Sequence, residues 1–316
     1  MQKERVIIIG SGPAGLTAAL YTGRAMLNPL VIAGMQLGGQ ISLTGEVENY
    51  PGFWSPDHTP TGPELVEVMH KQAEHFGARF VYDEVVEVDF GSRPAAASGS
   101  PFRIKTYSKE YLADSVIVTV GASPTKLGVP GEAEYVGRGV SYCGTCDGFF
   151  FRGKDVVVVG GGDSALEEGI FLTKFANKVE VIHRRDQLRA GAILQKRAFA
   201  NEKISFIWDT VVEEIVGNGV VQGVRVKNVK TNETRQLETD GVFIFIGHDP
   251  NNQFLVGQLA LDAEGYVITD EHYRTSVPGI YAAGEIQDPH FRQISTSVGQ
   301  GAGAAIELEK WLAGQE

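Results

Sequence analysis

The stretch Val6-Ile7-Ile8-Ile9-Gly10-Ser11-Gly12-Pro13-Ala14-Gly15 decides the fold of this chain. Its β-branched residues predict a buried strand, and its glycines predict a tight turn into a helix that begins near Leu16. In such a turn the first glycine makes the sharp bend, the second lets the backbone approach a pyrophosphate, and the third lets the helix pack on the strand. The stretch therefore predicts a dinucleotide-binding unit.

The same device occurs a second time. Val156-Val157-Val158-Val159 runs into Gly160-Gly161-Gly162-Asp163-Ser164-Ala165 and then into a helical segment over 166–175. One such match is weak, but two matches that both stand between a strand and a helix are strong. We therefore expect an α/β fold with two Rossmann-like dinucleotide-binding domains. This duplication is the only internal repeat that we find.

The strand after each turn indicates which nucleotide is bound. The strand 178–182 ends in His183-Arg184-Arg185, with Arg189 one helical turn further on. Guanidinium groups suit the 2′-phosphate of NADPH, although a solvated basic surface is the alternative. In the first unit the strand 29–33 ends at Gly34-Met35-Gln36, where neither an acid nor an arginine stands, so Gln36 is the candidate partner of the ribose.

The two cysteines of the 316 residues stand together in Cys143-Gly144-Thr145-Cys146-Asp147. A structural zinc site needs four ligands, and neither a second cysteine pair nor a spaced histidine pair is present, so we expect no metal. A disulfide across so short a loop constrains little of the unfolded chain, which argues against a structural staple. The pair is therefore a candidate redox-active dithiol, and such a dithiol needs a source of electrons.

Composition limits the possible partners and location. The chain has 39 glycines, 43% hydrophobic residues and a formal net charge of −11. An acidic chain is a poor ligand for nucleic acid or for an anionic membrane surface. We find no apolar run of the roughly 20 residues that span a membrane, and residues 1–5 enter a strand without a signal-peptide core. We therefore expect a cytoplasmic protein, with neither nucleic acid nor membrane as a partner.

Several motifs together resemble one family over nearly the whole chain. Besides the two glycine turns and the CxxCD site, they are Gly38-Gly39-Gln40, the stretch 46–52, the HRR signature and Ala282-Ala283-Gly284. This order resembles the low-molecular-weight, bacterial-type thioredoxin reductases of the flavoprotein pyridine nucleotide-disulfide oxidoreductases. The placement of CxxC just before the second nucleotide-binding strand is specific to this branch, since the larger branch carries it in the first domain.

The resemblance implies that the first unit binds FAD and the second binds NADPH. The implied FAD residues are Gly10, Ser11, Gly12, Pro13, Ala14, Gly15, Met35, Gln36, Gly39, Gln40, Asn49, Gly284, Glu285, Arg292, Gln293 and Ile294. The implied NADPH residues are Gly160, Gly161, Gly162, Asp163, Ser164, His183, Arg184, Arg185 and Arg189. Glu285 departs from the family, which usually has aspartate there, so the carboxylate expected at the ribityl chain is one methylene longer.

The resemblance also implies the reaction. Electrons pass from NADPH through FAD to the Cys143–Cys146 disulfide and then to thioredoxin or a thioredoxin-like protein. Cys146 is expected beside the flavin, Cys143 is expected to attack the partner, and Asp147 is expected to serve as the general acid or base. A helix N-cap is the alternative role for Asp147, and His248 is a second candidate proton donor. A homodimer is implied by the resemblance alone.

We expect the NADPH unit to be inserted into the FAD unit. The expected boundaries are 1–117 and 248–316 for the FAD domain and 118–247 for the NADPH domain, with a surface loop over 91–100. Because the dithiol and the nicotinamide site share the inserted domain, we expect that domain to rotate between half-reactions. Three other classes compete with this interpretation. A flavin dithiol oxidase would leave the arginines unexplained, and a ferredoxin-NADP reductase would leave the cysteine pair unexplained. A non-enzymatic redox sensor would leave the full set of motifs unexplained.

Overall fold

In the computed structural model the chain forms two units. The structure describes residues 2–43, 47, 49–55, 57–58, 60–91 and 101–315. The first unit joins Met1–Ser123 to Asp249–Glu316, and the second is the continuous segment Pro124–His248. Most of the surface loop expected over 91–100 lies outside the described residues, as do Glu46 and Glu48 of the stretch 46–52.

The first unit begins with alternating strands and helices, continues through four successive strands and ends in a long helix. Its elements are β1 (Gln2–Ile9), α1 (Pro13–Arg24), β2 (Leu30–Ile32), α2 (Gly62–His75), β3 (Arg79–Val81), β4 (Val85–Asp89), β5 (Phe102–Thr106), β6 (Glu110–Val118), β17 (Ile280–Ala282) and α6 (Ile294–Ala313). A 3₁₀ turn covers Gly39–Leu43.

Parallel pairing places the first glycine turn at the carboxyl edge of a sheet. Six of the seven strands run in the order β3-β2-β1-β6-β5-β4. The seventh, β17, pairs with the C-terminal end of β6. Ile7–Ile9 of β1 lies in register with Leu30–Ile32 on one side and with Val116–Val118 on the other. The strands β1, β2, β3, β6 and β17 are parallel, whereas β4 and β5 form an antiparallel meander against β6.

The second unit repeats this plan on a smaller sheet. Its elements are β8 (Val140–Ser141), α3 (Gly144–Asp147), β9 (Asp155–Gly160), α4 (Asp163–Leu172), β10 (Lys178–Ile182), α5 (Ala192–Phe199), β11 (Ile204–Ile207), β12 (Thr210–Asn218), β13 (Val220–Asn228), β14 (Thr234–Glu238) and β15 (Gly241–Phe245). The parallel order is β11-β10-β9-β15-β8, and β12, β13 and β14 form a separate antiparallel sheet.

The unbroken β-branched runs reflect burial on both faces of each sheet. Ile7 and Ile9 belong to one core of the first unit, while Val6 and Ile8 belong to the other. In the second unit the valines of 156–159 divide in the same alternating way between two cores. A strand that is covered on both faces has a continuous run of apolar residues instead of alternating apolar and polar residues. These strands could therefore be predicted from the sequence.

The chain passes between the units at two short strands that pair with each other, β7 (Ala122–Pro124) and β16 (His248–Pro250). Val118, at which we expected the second unit to begin, is the last residue of β6 and pairs with Ile9 and Ala282. The second unit thus begins at Pro124, because β6 is held along its full length by the first sheet. The assignment of one nucleotide to each unit stays a prediction.

Candidate functional site

The first glycine turn has the geometry that a bound pyrophosphate requires. Gly10 has a φ of 109°, and a Cβ there would lie 2.4 Å from the carbonyl oxygen of Thr119. A Cβ on Gly15 would lie 2.1 Å from the carbonyl oxygen of Gly10, so helix and strand touch at this point. A Cβ on Gly12 would meet nothing within 4 Å. Gly12 therefore faces open space that contacts within the chain do not explain.

The second turn reproduces this arrangement. Gly160 has a φ of 154°, and a Cβ there would lie 2.4 Å from the carbonyl oxygen of Phe245. Ala165, at the third small position, is fully buried. A Cβ on Gly162 would approach only the guanidinium of Arg189, at 4.0 Å. The two turns thus share a bend, an open position and a tight packing contact.

The helices that follow the two turns begin without a side-chain cap. Gly12 precedes α1 and Gly162 precedes α4, and neither has a side chain to bond the first N–H groups. By contrast, α2 begins with a full capping box made by Thr61 and Glu64. Uncapped N–H groups at a helix start, with open space before them, suit an anion. The residues of both turns fit the pyrophosphates of two dinucleotides.

Further candidate flavin residues gather around the first turn. The hydroxyl of Ser11 donates to the carbonyl oxygen of Ala33 at 2.7 Å and accepts from the amide of Gly38 at 3.1 Å. A Cβ on Gly39 would lie 3.6 Å from the Cα of Gly12. The glycine pair before Gln40 is therefore held over the turn by Ser11. The hydroxyl of Ser11 is engaged in these hydrogen bonds within the chain.

The C-terminal segment reaches the same turn. A Cβ on Gly284 would lie 2.9 Å from the Cβ of Ala14, which places the AAG segment against the start of α1. The amide of Asn49 donates to the side-chain oxygen of Gln293 at 3.1 Å, although these residues are far apart in the sequence. Gln36 bonds the hydroxyl of Ser42 at 2.8 Å, and Met35 is exposed.

Glu285 carries a partly buried carboxyl group in this cluster. Its burial raises its pKa, and the nearby charge of Arg292 together with a bond from the backbone of Ala122 offsets part of that rise. The longer side chain that replaces the family's aspartate therefore still meets a donor and a cation in this unit. It fits a hydrogen-bonding role toward a ligand hydroxyl.

A loop with three exposed arginines is fastened to the second turn. The backbone amides of Arg189 and Ala190 donate to the carbonyl oxygen of Gly161 at 2.8 and 3.2 Å. The carboxylate of Asp163, on the first turn of α4, accepts from the amide of Gly191 at 2.7 Å. Asp163 thus holds the loop closed on the helix, and Arg184, Arg185 and Arg189 point outward from a fixed backbone.

His183 has a different place from the arginines beside it. It is only 5% exposed, and its ring nitrogens lie 3.0 Å from the carbonyl oxygens of Gly160 and Gln187. A Cβ on Gly161 would lie 2.2 Å from the same ring. The imidazole therefore connects the glycine turn to the arginine loop and positions both.

The cysteine pair forms a disulfide at the start of α3. The Cα atoms of Cys143 and Cys146 lie 5.3 Å apart. The Sγ of Cys143 caps the short helix, since it accepts from the amide of Cys146 at 3.2 Å, and the hydroxyl of Thr145 lies 3.4 Å from it. An amide N–H stabilises negative charge on that sulfur once the disulfide is reduced.

Asp147 stands directly after the pair. Burial raises the pKa of its carboxyl group, and a hydrogen bond with Ser141 offsets part of the rise. A carboxyl group with a raised pKa is a better proton donor near neutral pH than an ordinary aspartate. Asp147 precedes the 3₁₀ turn Gly148–Phe151, but its side chain makes no capping bond there, so the N-cap alternative has no contact to support it.

Three residues that the sequence analysis missed help to build these sites. Thr119 bonds the carbonyl oxygens of Ile9 and Gly10 at 3.0 and 3.1 Å and so locks the first turn. The carboxylate of Asp288 accepts from the side-chain nitrogen of Gln300 at 2.7 Å. The side-chain oxygen of Gln300 in turn accepts from the backbone amide of Gly284. Glu132 accepts from the hydroxyl of Tyr142 at 2.9 Å, just before the cysteine pair. None belongs to a local motif that would have revealed it.

In the parts of the chain that the structure describes, no group of three or more His, Cys, Asp or Glu residues is arranged to hold a metal ion. Within the same ranges, no helix combines the length and the apolar character needed to cross a membrane.

Two dinucleotide folds with a disulfide on the second define a flavin- and nicotinamide-dependent disulfide reductase. The match to the pyridine nucleotide-disulphide oxidoreductase family spans residues 4–301. The thioredoxin reductase of Rickettsia conorii is 50% identical over 313 residues, covering 98% of each chain. That of Peptoclostridium litorale is 47% identical, with 97% of this chain and 96% of the relative covered. The crystal structure of thioredoxin reductase from Streptococcus pyogenes superposes with a TM-score of 0.90 at 47% identity, covering 99% of each chain.

This chain therefore belongs to the thioredoxin reductases of the pyridine nucleotide-disulphide oxidoreductase family. Membership implies a flavin and a nicotinamide nucleotide as cofactors, which agrees with the two open glycine turns.

Proposed function

We propose that this chain uses NADPH and FAD to reduce the disulfide of thioredoxin or a thioredoxin-like protein through Cys143 and Cys146. The observation that carries the proposal is the disulfide-bonded pair in the same unit as a glycine turn flanked by exposed arginines. When bound, the nicotinamide nucleotide and the flavin supply the two electrons that the disulfide takes up.

The chain's own residues then carry the exchange with the partner. Reduction of the disulfide with two electrons and one proton gives the thiolate of Cys143 and the thiol of Cys146, and the thiolate attacks the partner's disulfide. A mixed disulfide forms and one partner thiolate leaves. Cys146 next attacks the sulfur of Cys143, which restores the internal disulfide and releases the partner as a dithiol. Asp147 donates the proton that the leaving thiolate needs.

We assign FAD to the first unit and NADPH to the second. The first turn has no arginine at the end of β2, whereas the second has the exposed Arg184, Arg185 and Arg189 after β10. Guanidinium groups pair well with the 2′-phosphate that distinguishes NADPH from NADH. In this assignment Asp163 and His183 position the loop, and the arginines bind the phosphate.

We further propose a cytoplasmic homodimer that has neither nucleic acid nor membrane as a partner, and in which the second unit rotates during turnover. The net charge of −11 supports the absence of nucleic acid. Rotation is supported by chemistry, because the NADPH turn and the dithiol share one unit while both must reach the flavin of the other. Cys143 must also meet a partner protein, which one fixed arrangement does not permit.

Anaerobic titration with NADPH, followed by addition of oxidised thioredoxin, tests the function as a whole. We expect a yellow protein that bleaches with NADPH and recovers its colour when thioredoxin is added. A colourless purified protein that also fails to take up FAD, or a bleached protein that thioredoxin leaves unchanged, would refute the proposal.

The roles of the two sulfurs are tested by trapping. Cys143→Ser and Cys146→Ser should both abolish thioredoxin reduction and leave flavin bleaching by NADPH intact. The Cys146→Ser variant should capture a thioredoxin that lacks its resolving cysteine, through a mixed disulfide at Cys143, as mass spectrometry of the linked peptides would show. Capture through Cys146 alone would reverse the assignment.

A further inference from the structure

Gly144, between the two cysteines, is a glycine for reasons of space. It is buried and is the first residue of α3, and its φ lies outside the left-handed region that only glycine adopts easily. Glycine is less favourable than alanine in a helix, so a contact must account for its presence here. A Cβ at this position would lie 2.3 Å from Oε2 of Glu168 and 3.4 Å from the Cβ of Glu168. The volume of the missing side chain is filled by a carboxylate.

Glu168 projects from α4, the helix that begins at the second glycine turn. Its Oε2 atom is buried, although the residue as a whole is partly exposed. At a rise of about 1.5 Å per residue, Glu168 lies roughly 9 Å along α4 from Gly162. The helix α4 thus follows the candidate nucleotide turn at its N-terminus. About two turns later it carries Glu168, whose carboxylate lies against Gly144 between the two cysteines.

We propose that Glu168 is a positioning residue that lowers the reduction potential of the Cys143–Cys146 disulfide. The proposal rests on the redox role of this pair. Reduction places negative charge on the sulfur of Cys143, the residue before Gly144. The carboxylate of Glu168 lies against Gly144, and its like charge in a buried setting disfavours the thiolate. The disulfide carries no charge, so the carboxylate does not destabilise it. The carboxylate therefore makes the dithiol a stronger electron donor toward a partner disulfide.

The other acids near the pair have different positions. Asp147 follows Cys146 directly and has the raised pKa of a proton donor. Glu132 is engaged by the hydroxyl of Tyr142 and by the amides of Leu127 and Gly128. Glu168 is the acid whose carboxylate lies against the backbone between the two cysteines.

The test replaces the charge and keeps the shape. Full-length Glu168→Gln protein is equilibrated with dithiothreitol redox buffers without NADPH or thioredoxin, and the oxidised fraction of the pair is measured by alkylation and mass spectrometry. We expect reduction to become about tenfold easier, which is a potential about 30 mV higher. Iodoacetamide should also alkylate Cys143 of the reduced variant about tenfold faster at neutral pH. The control is Glu202→Gln, an exposed acid of the same unit.

A second variant makes the test independent of the first. In Gly144→Ala the new methyl group displaces the carboxylate of Glu168, so this variant should change the potential in the same direction. In a Glu168→Gln background the alanine should add nothing, because no charge is left to displace. An unchanged potential in Glu168→Gln, or an alanine effect that persists in that background, overturns the inference. A pair that cycles normally in these buffers but never reduces thioredoxin refutes the proposed function instead.

Discussion

At the scale of single residues, the second unit separates exposed side chains, which we propose bind the nucleotide, from side chains that hold its backbone. His183 and Asp163 are committed to backbone groups of the turn and the loop, whereas the arginines that follow His183 are exposed. A motif of adjacent basic residues thus contains two kinds of contribution. Substituting an arginine should remove a bond to the ligand, and substituting His183 should loosen the backbone that carries all of them.

The arginines should select NADPH over NADH. Arg184→Ala and Arg185→Ala should each raise the KM for NADPH by about ten- to a hundredfold, because each loses charge-assisted bonds worth roughly 1.5 to 3 kcal/mol. The KM for NADH should change little. Steady-state kinetics with both nucleotides check this, with Arg235→Ala on β14 as the exposed control. An unmoved KM for NADPH in both variants would show that these side chains do not bind the phosphate.

Asp83 should contribute pH-dependent stability to the first unit. Burial alone raises the pKa of this carboxyl group, but bonds from Ser108, Thr106 and the amide of Glu84 lower it to about 2. Since the folded pKa lies below the unfolded value of 3.8, the stabilisation is complete above about pH 4 and is lost as the pH falls toward 2.

Asp83→Asn should therefore lower the free energy of unfolding by about 1 to 2 kcal/mol at pH 7, and the difference from wild type should shrink below pH 4. Melting temperatures between pH 7 and pH 3 would show this. Asp114→Asn is the control, because Asp114 forms an exposed ion pair with Lys3 that contributes little. A constant difference across this range would count against the role of the charge.

At the scale of elements, the strand–turn–helix unit uses each glycine for a different purpose. Gly15 permits the contact between α1 and the end of β1, whereas Gly12 leaves room for something outside the chain. The same division holds in the second unit between the closely packed Ala165 and the open Gly162. The glycine that packs the fold and the glycine at the candidate ligand position are therefore different residues of one motif.

Gly12→Ala and Gly15→Ala should fail in different ways. The first has a φ of −66°, which alanine adopts, so the protein should fold with a loss of only about 1 kcal/mol at the helix N-cap and should release FAD readily. The second places a methyl group 2.1 Å from a carbonyl oxygen and should lower the yield or the melting temperature of the protein. Circular dichroism and the flavin absorbance of the purified variants distinguish the two. Full flavin retention in Gly12→Ala would contradict the ligand role of the open position.

The elements near the turns could be predicted because their signals are local. The β-branched runs, the glycine turns and the strand before His183 all lie where the sequence indicated. The contact of Glu168 with Gly144 and the bridge from Asp288 through Gln300 to Gly284 could not be predicted, because each joins distant segments. The second compact unit begins at Pro124 rather than at the expected Val118, because Val118 pairs with Ile9 and Ala282, which lie far from it in the sequence.

At the scale of the whole molecule, the two units have separate cores. The apolar clusters of the second unit contain only residues of 124–248, and those of the first contain only residues outside that segment. The second unit is also one continuous piece of chain. We therefore expect the units to unfold as separate cooperative transitions rather than as one.

The second unit should therefore fold when residues 124–248 are produced alone. We expect a cooperative thermal transition that NADP⁺ raises and FAD does not, because the nucleotide turn with its arginines is contained in this segment. Calorimetry with each ligand checks this, and a segment carrying Gly162→Ala is the matched control. A segment that lacks a transition, or that FAD stabilises equally, would contradict the independence of the unit.

The inserted arrangement also sets the order in which the protein matures during synthesis. The second unit is complete once His248 has left the ribosome, but the first still lacks β17 and α6 at that moment. At about 5 to 20 residues per second, β1 and β6 wait roughly 10 to 40 s for the C-terminal segment that covers them. We therefore expect the nascent N-terminal part of the first unit, with its unbroken apolar strands, to depend on chaperones more than the second unit does.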